Sequence, residues 1–122
     1  MFYKDLDVYK KSIDFVVDIY KTTESFPESE KFGLISQLRR AAVSLPSNLA
    51  EGSGRNGRKE LINFLHLARG SLFEIGTQLE ISHRLRFVSQ ENYAKLEERR
   101  ATIQRMMNAL ISSLRKKGEN ND

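Results

Sequence analysis

The 122-residue chain contains no cysteine, which removes disulfides, thiolate metal sites and cysteine nucleophiles together. Proline is nearly absent, occurring only at Pro27 and Pro46. Leu, Ala, Glu, Lys, Arg and Gln are plentiful instead, so the intrinsic preference is helical. No apolar run approaches the length of a membrane span or a signal-peptide core, and the opening MFYKDLD is charged almost at once; a soluble, cytoplasmic protein is expected. Signs of catalysis are as scarce. There is no GxSxG elbow, and His66 and His83 have no Cys or acidic partner at ligand spacing. The carboxylates Glu51, Glu60, Glu74 and Glu80 fall singly beside basic residues, as ion pairs do, rather than as a general acid and base. No catalytic residue, metal or cofactor is expected.

Charge is present but uneven. The net value is +4. Residues 1–30 carry four lysines against seven acids, a balance of −3, and residues 31–122 carry sixteen Lys and Arg against nine acids, a balance of +7. A basic body favours polyanions such as nucleic acid; a solvated, arginine-rich helical surface has the same composition.

Apolar residues recur at heptad steps in four stretches: Leu6, Tyr9, Ile13, Val16, Tyr20; then Ile35, Leu38, Ala42, Leu45, Leu49; then Leu61, Leu65, Ala68, Leu72, Ile75, Leu79; and finally Tyr93, Leu96, Ile103, Met107, Leu110, Leu114, with Arg100 in one polar slot. Four seams predict four helices. Asp5 is placed to cap the first, Pro27 to open the second, Gly52 to end it and Ser89 to cap the fourth. Short connections around 23–27, 52–58 and 85–89 make successive helices antiparallel. The expected fold is all-α, an up-down-up-down antiparallel four-helix bundle over residues 1–117, with 118–122 a disordered tail. Pro46 lies inside the second helix, where a missing amide donor and a crowded turn predict a kink near Ala42–Leu45.

The stretch GSGRNGRKE, Gly52 to Glu60, places three glycines at GxGxxG spacing. A dinucleotide loop needs a strand before it and a βαβ unit around it. Here the preceding AAVSLPSNLAE continues a helical seam. Arg58 stands where a P-loop requires lysine, and Lys59 where Ser or Thr would hold magnesium. The glycines are read as a turn between helices, and an enzyme using this loop on nucleotides is disfavoured.

Two further patterns remain. Apolar residues off the seams, Val8, Phe15 and Ile19 on helix one, Phe32 and Val43 on helix two, Ile62 and Phe73 on helix three, exceed what one stripe per helix needs. They indicate a wider core or a surface covered by another subunit, and Val8, Phe15, Ile19 and Phe73 are the candidate oligomer interface. Basic residues gather near the second hairpin, where Arg39, Arg40, Arg55, Arg58, Lys59 and Arg69 are candidate nucleic-acid contacts, and Arg84, Arg86, Arg99, Arg100 and Arg105 load the other half. Arg39 and Arg100 lie on or beside seams, so each also has a structural reading as a partner of glutamate. No helix-turn-helix or RNA-binding aromatic motif supports sequence-specific readout.

The run GLISQLRRAAVSLPSNLAEGSGRNGRKELINFLHLARGSLFEIGTQL, Gly33 to Leu79, closely resembles a bacterial four-helix-bundle family. Its members include proteins encoded in intervening sequences of large-subunit ribosomal RNA genes and, more distantly, accessory variability proteins of diversity-generating retroelements. The upstream DLDVYKKSIDFVVDIYKTTESFP is also similar, so the likeness covers about residues 4–115. The resemblance implies a homo-oligomeric ring, typically of five subunits, without enzymatic activity. For the retroelement members it implies association with a reverse transcriptase and with RNA or DNA through a basic surface. The matching positions are Arg39, Arg40, Asn48, Glu51, Gly52, Arg55 and Glu60. Two departures are Tyr9, where a tryptophan is common, and Gly76, where a glutamate is usual. The expected function is a non-catalytic, ring-forming bundle that binds nucleic acid or a nucleic-acid enzyme; the alternative is a protein-only assembly scaffold.

Overall fold

The computed structural model describes residues 3–121, with side chains described over 3–118. Four helices follow in order: α1 Asp7–Thr23, α2 Leu34–Ser53, α3 Arg58–Arg84 and α4 Gln90–Asn121. Among the described residues there is no strand. Each helix packs on its neighbour in sequence, α2 against α3 most extensively, and α4 closes back onto α1. The fold is the expected all-α four-helix bundle.

Three seams hold. Leu38, Ala42, Leu45 and Leu49 on α2, Leu65, Ala68, Leu72, Ile75 and Leu79 on α3, and Leu96, Ile103 and Met107 on α4 are all buried. Ile111 joins them on α4. Full burial of each large aliphatic is worth roughly 1.5–3 kcal/mol, so these stripes dominate the driving force.

The seam expected on α1 is displaced. Its buried line is Val8, Ser12, Phe15, Ile19 and Thr23, whereas Ile13 and Tyr20 are 39% exposed. The displacement has a physical cause. Two of the five inward positions are hydroxyl residues that satisfy themselves within the helix: Ser12 Oγ donates to the Val8 carbonyl at 2.7 Å and Thr23 Oγ1 to the Ile19 carbonyl at 2.8 Å. A polar residue that bonds its own helix can enter a core without an inter-helix partner. Val8, Phe15 and Ile19 are therefore core residues, with no surface to offer a second subunit. Of the four candidate interface residues Phe73 alone is exposed, at 54%.

Several boundaries also move. Asp5 ends a 3-10 turn, Tyr3–Asp5, and the residue preceding α1 is Leu6, which makes no side-chain cap bond. Pro27 introduces a second 3-10 turn, Glu28–Glu30, rather than α2. The Leu34 amide, at the true start of α2, donates to Glu30 Oε1 at 3.3 Å. Ser89 does cap α4, accepting from the Asn92 amide at 3.1 Å. At the other end, α4 is helical through Gly118 to Asn121 where a tail was expected, and Asp122 lies outside the described residues.

Gly52 does not end α2. The helix continues to Ser53, and a Cβ on Gly52 would lie 2.8 Å from the Cβ of Phe64, so this glycine sets how closely α2 and α3 approach. Ser44 and Ser71 hydroxyls meet across the same contact at 2.5 Å. The turn is left to residues 54–57, where Gly57 takes φ 98°, a left-handed conformation suited to glycine.

Candidate nucleic-acid interface

Phosphate binding requires cations whose charge is not already neutralised, so each candidate is sorted by its partners. Arg39 is committed to the fold. Its Nε donates to Thr23 Oγ1 at 2.9 Å, its Nη2 to the Tyr20 carbonyl at 3.2 Å, and its guanidinium lies 4.5 Å from the Tyr20 ring centroid. It ties α2 to the end of α1. Arg55 pairs with Glu51 at 2.6 Å and lies over Phe64, which leaves it weakly available at best. Arg40 and Lys59 are exposed, and among the described residues neither has a carboxylate partner.

On the other half, Arg84 pairs with Glu80 at 2.9 Å, Arg99 with Asp18, and Arg100 with Glu97 at 2.5 Å. Arg105 donates to Thr102 Oγ1 at 3.1 Å. Of the four carboxylates expected to form ion pairs, Glu51 and Glu80 do so. The groove between α1 and α4 is lined by Lys11, Lys21, Lys95 and Arg99 interleaved with Asp14, Asp18 and Glu98, so its walls favour neither sign of ligand.

Arg69 and Arg58 belong to a different setting. Arg69 Nη2 lies 2.9 Å from His66 Nδ1, and its Nη1 donates to Asn108 Oδ1 of α4 at 3.1 Å. Across the helix contact, Arg115 Nη2 lies 2.8 Å from His66 Nε2. Burial, and then the positive charges of Arg69 and Arg115, hold the His66 imidazole below its usual pKa. Further toward the start of α3, Arg58 lies against the bare backbone of Gly118, where a Cβ would stand 2.9 Å from its Nε. Arg58, Arg69 and Arg115 thus lie along the α3–α4 contact, and among the described residues none of these three has an acidic partner.

Arg58 and Arg69 were legible in the sequence, whereas Arg115 was not, and His66, set aside there as a metal ligand, had no other role. Spacing carried part of the signal: 58, 66 and 69 share one face of α3 by helical periodicity. What no spacing supplied was the register of α4, which brings Arg115 opposite His66. Among the described residues no three His, Cys, Asp or Glu side chains gather as metal ligands would, and no helix is long and apolar enough to cross a membrane.

Residues 4–109 match the family described as 23S rRNA-intervening sequence protein. A solved structure that is similar is that of a protein of unknown function from the S23 ribosomal protein family of Bacteroides thetaiotaomicron. It has a TM-score of 0.77 and 26% identity over 85% of this chain and 97% of that one. No curated protein matches. The bundle, and a family match that spans all but the ends of the chain, lead to one assignment: this chain belongs to the 23S rRNA-intervening sequence protein family.

Proposed function

We propose that the protein is a cytoplasmic, non-catalytic bundle that assembles into a homo-oligomeric ring, of five subunits as the resemblance implies, and binds nucleic acid or a nucleic-acid enzyme such as a reverse transcriptase. The supporting observation is that Arg40, Arg58, Lys59, Arg69 and Arg115 are among the cations left without an acidic partner within the described residues. Arg55 and Arg84, by contrast, are compensated by i,i+4 glutamates. A face that leaves its charges uncompensated is poised for a polyanion. A kink near Ala42–Leu45, caused by Pro46, would aim the glycine loop sideways.

The test is retention of labelled RNA and DNA at low salt. Neutralised phosphates release counterions, so log affinity falls linearly with log salt, by about 0.9 per contact on duplex DNA or about 0.7 on single strands. Replacing Arg58 and Lys59 together by alanine is expected to weaken binding and flatten that slope while leaving the helical content intact. A protein-only scaffold is the second reading, favoured by exposed apolar side chains such as Phe32 at 88% and Leu67 at 58%. Absence of any retention at low salt selects it.

A further inference from the structure

The contacts around His66 contain a conflict of donors. A neutral imidazole has one nitrogen with a lone pair and one N–H, and guanidinium groups only donate. Yet arginine nitrogens stand at hydrogen-bond distance from both ring nitrogens, 2.9 Å on the Nδ1 side and 2.8 Å on the Nε2 side. In either tautomer one arginine faces an N–H, donor against donor. Protonating the ring removes the remaining acceptor and adds a third positive charge. The Asn108 carbonyl takes an Nη1 N–H of Arg69 and leaves both ring-facing Nη2 contacts as they are.

An anion with several acceptor oxygens resolves it. Set between the ring and the guanidiniums, it accepts from the imidazole N–H and from arginine forks on two helices, and charge-assisted bonds of this kind are the strong ones. We propose that His66, Arg69 and Arg115 form a phosphate site spanning α3 and α4, which takes a backbone phosphodiester of RNA or DNA. The choice of ligand rests on the nucleic-acid reading above; the choice of residues rests on the donor conflict. Arg58 lies eight residues earlier on the same face, roughly 12 Å away by helical rise. It supplies a second contact for a strand running along α3 toward the end of α4. All contacts are to phosphate, so affinity is indifferent to base sequence.

The site separates from a diffuse basic surface by comparing two arginines of the same helix. Arg115→Ala and Arg105→Ala each remove one exposed charge from α4, but Arg105 donates to Thr102 of its own helix rather than facing His66. Binding of fluorescent single-stranded RNA and DNA is measured across a salt series, with circular dichroism to confirm folding. Arg115→Ala is expected to weaken binding at least fivefold and reduce the salt slope by about one contact, about 0.7, with Arg105→Ala within twofold of the parent. Arg115→Lys is expected to keep the slope but recover only part of the affinity, because a point charge replaces a planar fork. Equal losses at Arg105 and Arg115, or none at Arg115 while the parent binds, overturn the site and leave the nucleic-acid reading standing. The strand type bound more tightly identifies the source of the phosphodiester. A parent that binds neither strand overturns both the function proposed and the phosphodiester assignment. Inorganic phosphate then decides whether the residues bind anions at all: a saturable shift of the His66 ring signals in NMR, absent with chloride at equal ionic strength and lost in Arg115→Ala, retains an anion site, and no shift removes it.

Discussion

Arg100 fills the one polar slot of the α4 seam, and each arm of its guanidinium is in use. Nε and Nη2 donate to the two Glu97 oxygens at 2.8 and 2.5 Å, and Nη1 reaches the Leu72 carbonyl of α3 at 3.3 Å and Gln104 at 2.8 Å. The side chain is 13% exposed. Its pKa is raised, first by the Glu97 hydrogen bond, against burial that lowers it. Gly76 makes the arrangement possible, since a Cβ there would lie 3.0 Å from Arg100 Nε. The glycine that departs from the family pattern thus provides the space in which an arginine crosses from one helix to the next. Arg100→Ala would strip the two Glu97 oxygens of their donors and open a gap over Gly76. A loss of about 1–3 kcal/mol is expected, read as a lower urea midpoint with unchanged slope, and Arg100→Lys should recover only part of it. Arg69 and Arg115 contrast with this residue in having no carboxylate among the described residues, so their charge is available to a ligand whereas that of Arg100 is spent on the fold.

At the scale of elements, the α3–α4 turn closes with a complete Schellman pattern: the Phe87 amide donates to the Ser82 carbonyl and the Arg86 amide to the His83 carbonyl, each at 2.9 Å. The residue in the left-handed position is Arg86, at φ 65°. Glycine is the usual occupant, because a Cβ there meets the following carbonyl at a cost of roughly 1–2 kcal/mol. Arg86→Gly regains part of that cost and returns some of it as greater entropy of the unfolded chain, so a net stabilisation of about 0.5–1 kcal/mol is expected, a rise of a few degrees in melting temperature by calorimetry. The sequence hid this turn because its key position carries no glycine. It hid the α1 seam for a related reason: Ser12 and Thr23 hold inward positions through bonds to their own helix, so an apolar count lands on the half-exposed Ile13 and Tyr20 line. The α2, α3 and α4 seams were legible because most of their buried positions are apolar, with Ser71 and Ser82 the buried hydroxyls among them. The candidate site was half legible. Arg58 and Arg69 share a face by periodicity, whereas Arg115 enters only through the register of α4 against α3, a tertiary fact that helical spacing does not encode.

For the whole molecule, the exposed surface is 7505 Å², against roughly 6,700 Å² for a compact monomer of this mass. Large apolar side chains are part of that surface: Leu67, Phe73 and Ile81 of α3 and Leu85 just after it are between 44% and 58% exposed, and Val17 of α1 is 45% exposed. The proposed ring draws on such surface, because a stable interface buries about 800 Å² per partner around an apolar centre. The core assignment decides which substitution tests it. Phe15→Glu places a charge at a position 1% exposed within a single subunit, so it unfolds the bundle and reports nothing about assembly. Phe73→Glu leaves the core untouched. Light scattering on the parent should give a mass several times 14.1 kDa, and Phe73→Glu should lower it while the circular dichroism stays helical. A parent that remains monomeric at high micromolar concentration ends the ring. The consequence reaches the nucleic-acid reading, since a ring repeats each subunit's basic face and converts weak phosphate contacts into avidity. A Phe73→Glu subunit that is monomeric and folded should therefore keep its His66 environment yet lose affinity for long single strands by at least tenfold, with little change for a strand short enough to meet one subunit. Equal loss on long and short strands would place the Phe73 effect in the binding surface itself and remove avidity from the mechanism.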